Sequence, residues 1–242
     1  MIRKSITLSF AALLAPLLAA GAPDAAAAQS TFALPEGCEA YVTVQERSCI
    51  VSHRFTCAGD PEGWQRRADL DEDGVIYLGA TDSESRWMES VSPRSGIVEV
   101  LGEEAEMPAS FSKLLATGVD RFDFTTRTDP DGIITRFVGQ DRLTGESVTI
   151  SGVTLERTEF AVTGYDEAGG EVWRAEGREY INRDWRVFIG GTRTTTVGAE
   201  SWDGDSTPVA FIFPGEPGFL STQPRYDCGV LMSKAPARGA VQ

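Results

Sequence analysis

The run Asp69-Leu70-Asp71-Glu72-Asp73-Gly74-Val75-Ile76 has the sharpest chemical spacing in the chain. Carboxylates at its first, third and fifth positions, glycine at the sixth and an aliphatic at the eighth match the first half of a calcium loop. Asp69, Asp71 and Asp73 are therefore the candidate metal ligands. The twelfth position is Ala80, where a bidentate glutamate belongs, and the flanks read as strands rather than helices. That excludes an EF-hand. It leaves a looser calcium-stabilised loop in a β setting, set against a plain acidic hairpin turn, the ordinary use of Asp and Gly in such a run. Asp129-Pro130-Asp131-Gly132-Ile133-Ile134 repeats the D-x-D-G pattern as recurrent turn chemistry.

Four cysteines, Cys38, Cys49, Cys57 and Cys228, make an even set. Behind an export signal they imply two disulfides in an oxidising compartment. Their spacings do not resemble the paired ligands of a zinc site. Cys49 and Cys57 stand at the two ends of one expected strand. At about 3.3 Å per residue they lie roughly 26 Å apart, beyond the reach of a disulfide. A hairpin turning at Gln45 to Ser48 brings Cys38 opposite Cys57 and leaves Cys49 for Cys228. The rival pairing of Cys38 with Cys49 needs a turn inside Ala40 to Val44, which reads as strand. The single histidine, His53, falls between two of the cysteines on that strand, where a structural role outweighs a ligand role.

Signatures of hydrolysis are missing: there is no G-x-S-x-G elbow and no H-E-x-x-H. Acid pairs such as Glu156 with Glu159, or Glu176 with Glu179, could do glycosidase chemistry, but nothing in the spacing singles out a pair at the required separation. No glycine-rich phosphate loop opens a helix, and no cofactor is implied. The net charge of −14 opposes binding to nucleic acid phosphates and to anionic lipid surfaces.

The elements that must position these residues read as β throughout. Arg3 and Lys4, an apolar run to Gly21 and Ala26-Ala27-Ala28 form a cleavable secretory signal over residues 1–28, too short to span a bilayer. A single β-rich domain is expected over 29–232, with a disordered tail over 233–242. The chain is thus expected in the periplasm, not as an integral membrane protein. From Val119 to Val197 long strands alternate with Asp/Asn/Gly breaks at Asp129 to Gly132, Leu143 to Glu146, Asp166 to Gly170 and Asn182 to Asp184. That is the pattern of an antiparallel meander. Glu103 to Pro108 reads as loop and Trp202 to Asp205 as a turn. Ala109 to Thr117, with Phe111, Leu114 and Leu115 at helical spacing and Gly118 as a stop, is the one helix. In the run from Glu171 to Ile181, Trp173, Ala175, Gly177 and Ile181 share an apolar face on which Glu179 is the exception. Trp185, Val187 and Ile189 share a face in the next run.

The fold class is therefore all-β: an antiparallel meander forming a curved half-barrel or open barrel with one short helix. The helix is too small to cover so wide an apolar face. Trp and Phe each bury on the order of 150–250 Å², so something else must cover them. Either the sheet closes on itself, or it leaves a groove beside the helix with Trp173, Trp185, Phe137 and Phe111 as its lining.

The export signal, the long meander and the lone helix together resemble the periplasmic half-barrel proteins. These include the lipoprotein carriers of outer-membrane localisation and the β-spiral cell-envelope integrity proteins of alphaproteobacteria. The resemblance is architectural and carries over no functional residue. It implies a non-enzymatic, envelope-associated binding protein for an apolar ligand or protein partner, with a lipid or an apolar peptide as the occupant. The alternatives are a hydrolase using paired carboxylates and a structural module with a calcium-stabilised loop. A buried carboxylate pair in a cleft favours the first alternative, oxygens converging at Asp69 to Asp73 favour the second, and a deep apolar groove without carboxylates favours binding.

Overall fold

The computed structural model describes residues 30–229. The export signal expected over 1–28 and the tail expected over 233–242 lie outside the described residues. Thirteen antiparallel strands form one sheet. In chain order they are β1 (Cys38–Glu46), β2 (Ile50–Cys57), β3 (Gln65–Asp71), β4 (Gly74–Thr81), β5 (Trp87–Ser92) and β6 (Ile97–Met107). After helix α1 (Phe111–Thr117) come β7 (Val119–Asp129), β8 (Ile133–Ile150), β9 (Val153–Tyr165), β10 (Glu171–Asn182), β11 (Val187–Val197), β12 (Glu200–Asp205) and β13 (Pro208–Ile212). Every strand from β1 to β12 pairs with its sequence neighbours, and β13 adds to the outer side of β1.

This order fixes the curvature. β12 and β13 are the two edges of the sheet, yet only Ser206 and Thr207 separate them in sequence. The three Cα–Cα steps from Asp205 to Pro208 span at most about 11 Å, so the sheet must roll until its edges come close at that end. Arg47 N–H donates to Thr207 O at 3.0 Å and Ser48 Oγ to Asp205 O at 2.6 Å, which pins the junction to the β1–β2 turn. No ladder joins β12 to β13, so the barrel stays open.

Several breaks read from the sequence are bulges rather than turns. Leu143 to Glu146 does not end a strand: β8 runs through it, and the register with β9 slips between Leu143 and Ser147 around Gly145 at φ +82°. A glycine at positive φ supplies a bulge as readily as a turn. The acidic stretch after Glu103 continues β6 to Met107 through two register slips against β7. Trp202 to Asp205 lies inside β12. Conversely, Trp185 belongs to the turn before β11, its N–H donating to Asn182 Oδ1 at 2.9 Å.

Both faces of β1 and β2 are buried. On the outer face Val51, Phe55, Ala68 and Leu70 are covered by Phe32 and Leu34 of the lead-in and by Phe219 and Leu220 of the C-terminal coil. A bridge from Thr31 to Ser221 joins the two covering segments. The disulfides are Cys38–Cys57, directly across the β1–β2 ladder, and Cys49–Cys228, which ties the coil to the sheet. This is the pairing expected from the hairpin. His53 is wholly buried here, stacked 5.0 Å from Phe32 and within 3.0 Å of Thr43 Oγ1.

Candidate functional site

The ladder register lines up residues on the inner face of β7 to β12. One row runs Phe122, Gly139, Val162, Ala175, Thr195, Trp202. The next runs Asp120, Asp141, Phe160, Gly177, Arg193, Gly204. Phe124, Phe137, Gly164 and Trp173 form a third. Side chains alternate between faces, so these rows point into the roll of the sheet. Two glycines make space for rings. A Cβ on Gly139 would lie 2.6 Å from Phe122 Cζ, and one on Gly164 would lie 2.7 Å from Trp173 Nε1. These two rings lie against the glycines of the paired strands.

The result is a cavity of about 560 Å³, within the range of about 300–1,000 Å³ usual for small-molecule sites. Phe137 is the centre of its aromatic wall: it stacks on Phe124 at 5.3 Å and meets Trp87 at 5.7 Å and Trp173 at 5.6 Å edge to face. Phe122, Phe160, Phe188 and the exposed Trp202 complete the lining. Trp87 comes from β5 and Phe137 from β8, so the contact between them crosses the interior.

Two carboxylates open into this aromatic cavity, Asp141 from β8 and Glu179 from β10. Burial pushes Asp141 up to about 8, with the charges of Glu179 and Asp120 adding to the rise. Burial pushes Glu179 up to about 7, against the opposing pull of Arg67, Arg193 and Arg54. Deeper in the roll, burial lifts Glu46 to about 8, helped by Asp69 and opposed by Arg67 and Arg54. The arginines there are engaged. Arg67 pairs with Asp69 at 3.2 Å and lies 4.6 Å over the Tyr77 ring, and Arg54 donates to Phe188 O at 2.6 Å.

Helix α1 supports one end of the cavity. Ser110 caps it by accepting from Lys113 N–H, and Gly118 closes it in the left-handed region. Glu84 accepts from Ser110 Oγ, Ser112 N–H and Ser112 Oγ at 2.8, 2.9 and 2.6 Å, and from Arg186 at 3.0 Å. Phe111 is buried and meets Phe188 edge-on at 5.7 Å.

Of the residues expected to line a groove, Trp173 and Phe137 do so. Phe111 stands one layer behind, holding Phe188 in place. Trp185 lies elsewhere, among Tyr41, Phe211 and Phe213 at 5.7, 6.0 and 6.3 Å. It packs with Val187 and Ile189, as the alternation predicts, but the extra residue in β11 opposite Arg178 to Tyr180 puts that row on the face away from Phe188, Arg193 and Thr195.

Asp69, Asp71 and Asp73 are not brought together as ligands. Asp69 accepts from Ser52 Oγ at 2.7 Å, and Asp71 is held by Arg94 and by the Asp73 N–H, both at 2.8 Å. Among the described residues the one convergent set of potential ligands is Cys49, Glu72 and Cys228. Its two sulfurs are bonded to each other and have no thiolate to offer.

The acid pairs picked out by sequence are separate. Glu156 pairs with Arg183, and Glu159 with Arg142. Glu176 and Glu179 stand an odd number of residues apart on β10 and so face opposite ways. The pair that does share the cavity, Asp141 and Glu179, spans β9. Comparison with protein families, with curated proteins and with solved structures finds no match. Among the described residues no helix is long and apolar enough to cross a membrane.

Proposed function

We propose that this protein is a non-enzymatic, exported, envelope-associated binding protein of the periplasmic half-barrel kind, and that its interior cavity takes a ligand with a substantial apolar body. The observation that carries this is the open aromatic cavity centred on Phe137. Rings that would bury large areas in a filled core instead border about 560 Å³ of space. A neutral apolar dye such as N-phenyl-1-naphthylamine is expected to bind saturably and to brighten on binding. Trp173→Ala is expected to weaken it about tenfold, the roughly 1.4 kcal/mol that one partly retained aromatic contact carries. Trp185→Phe is expected to leave the affinity unchanged. Absence of saturable binding to the folded wild type would sink this reading.

The carboxylates in the cavity support a second reading, a hydrolase. β8 and β10 flank β9, so their backbones lie roughly 10 Å apart laterally, and both carboxyls are biased toward the protonated form a general acid needs. A panel of nitrophenyl glycosides tests it. Turnover that is lost in both Asp141→Asn and Glu179→Gln would establish the hydrolase in place of the binding protein.

A further inference from the structure

We infer that the cavity is built for an amphipathic cation: an apolar body against Phe122, Phe137 and Trp173, and a protonated amine or quaternary ammonium against Asp141 and Glu179. This rests on the binding reading and names the chemistry of its ligand.

The inference starts from which charges in the interior are matched. Among the described residues neither Asp141 nor Glu179 has a side-chain hydrogen bond or an ion pair, although both line the cavity. The cations around them have other partners. Arg67 holds Asp69, Arg54 holds the Phe188 carbonyl, and Lys113 reaches Asp120 at 3.3 Å. Arg193 remains, an exposed side chain that also lines the cavity and draws Glu179 toward ionisation. Arg67 and Arg54 also draw on Glu179, but among the described residues no cation draws on Asp141, which faces the charges of Glu179 and Asp120. An isolated carboxyl in an apolar recess is costly unless something pairs with it. A cavity serving only neutral ligands has no use for two of them.

The walls favour the same ligand. The faces of Trp and Phe rings attract cations, most strongly where water is displaced. An anionic ligand such as a fatty acid would place its charge against two carboxylates. The net charge of −14 raises the local concentration of cations around the molecule.

Binding should be linked to protons. In the empty cavity burial keeps much of Asp141 and Glu179 protonated near neutral pH, with values of about 8 and about 7. A bound cation stabilises the ionised forms, so protons leave as it enters. Affinity for a cation should therefore rise with pH through the window 7 to 8 and level off above it. The groups facing these carboxyls are Asp120 with Lys113, Arg193, Arg67 and Arg54.

Decyltrimethylammonium, decanol and decanoate, each below its micelle concentration, share a chain and differ in head charge. Calorimetric titration of the full chain at pH 8 and fixed ionic strength is expected to rank them in that order. The cation should bind about tenfold or more tighter than the alcohol, the scale of a desolvated cation–π and carboxylate contact. Asp141→Asn with Glu179→Gln should bring the cation and the alcohol within about threefold and abolish the rise with pH. Glu179→Gln alone serves if the double variant loses its near-ultraviolet circular dichroism. Trp173→Ala should weaken both ligands.

Equal binding of cation and alcohol, or tightest binding of decanoate, overturns the cation inference and leaves the apolar-ligand reading standing. Cation binding that survives both the carboxylate replacements and Trp173→Ala reports the acidic surface and overturns it too. If none of the three binds the wild type, both readings fall.

Discussion

Glu179 occupies the face of β10 that its neighbours mark as apolar, and that mismatch is legible in the sequence: Trp173, Ala175, Gly177 and Ile181 alternate with charged residues, and Glu179 alone breaks the rule. Its companion is not legible. Asp141 comes from β8, and only the β8–β9–β10 register places it in the same cavity. Trp173 and Phe137 are readable from alternation; Trp185 does share a face with Val187 and Ile189, but a bulge in β11, invisible to the apolar pattern, takes that face away from the cavity. The acidic Asp69 to Asp73 spacing resembles a metal loop, but Arg94, distant in sequence, takes Asp71. Burial raises the Glu179 carboxyl to about 7, so ionising it costs the folded state more than the unfolded one. Glu179→Gln is accordingly expected to raise Tm at pH 8.5 by a few degrees, roughly 1–2 kcal/mol for a domain of this size. It should change little at pH 5.5, where the native carboxyl is already protonated. Glu176→Gln, on the exposed face, should stay within about 0.5 kcal/mol at both values. Differential scanning fluorimetry separates these outcomes; a Glu179 variant that melts earlier at pH 8.5 contradicts the assignment.

Helix α1 has two turns, too few to persist alone in water, and its docking is the element on which the cavity end depends. The sequence locates it through Phe111, Leu114, Leu115 and Gly118, but not its clamp. Glu84 is in a loop between β4 and β5, and only the roll of the sheet brings it to the helix N-terminus together with Arg186 from the turn before β11. Burial would raise the Glu84 carboxyl, but the bonds from Ser112 and Ser110 and the charge of Arg186 outweigh it and hold it below its ordinary value. Glu84→Ala removes four hydrogen bonds at once and takes the carboxylate from Arg186. It is expected to cost about 2–3 kcal/mol in urea unfolding and to weaken binding of the neutral dye, since Phe111 supports Phe188. Glu72→Ala, on the exposed β3–β4 turn, is the matched control with a change near zero. The strands are otherwise legible in the sequence, but several of their ends are not. Turn-forming residues at Gly145 and Gly204 lie within β8 and β12, because a bulge and an edge strand accept the same residues that a turn does.

The whole molecule is one sheet whose two faces are buried in different ways, and its pH response follows from what each face holds. The covered outer face holds His53. Burial lowers it to about 4, against the opposing influence of Asp69. The folded value lies below the ordinary one near 6.5, so its contribution is complete above 6.5 and is lost as pH falls toward 4. The inner face holds Glu46, Asp141 and Glu179, raised by burial to about 8, about 8 and about 7. Their folded values lie above those of the unfolded chain. The folded state keeps protons that the unfolded state has released, and stability falls as pH rises from about 4.5 toward 8. Between pH 4.5 and 6.5 three native-bound protons oppose the single proton that the unfolded chain takes at His53. The net slope is downward there, and it steepens between 6.5 and 7 once the histidine no longer offsets it. The expected profile is a Tm maximum at or below about pH 4.5 followed by a decline of several degrees by pH 8.5. This is an acidic optimum set by the interior, since the ordinary optimum lies between about pH 5 and 8. The combined Glu46→Gln, Asp141→Asn and Glu179→Gln variant should remove the decline and uncover the histidine, so that its Tm rises from pH 5 to 6.5 and then stays level. A wild-type Tm that is flat or rising from pH 5 to 8 would show that these carboxyls are not held protonated inside the sheet.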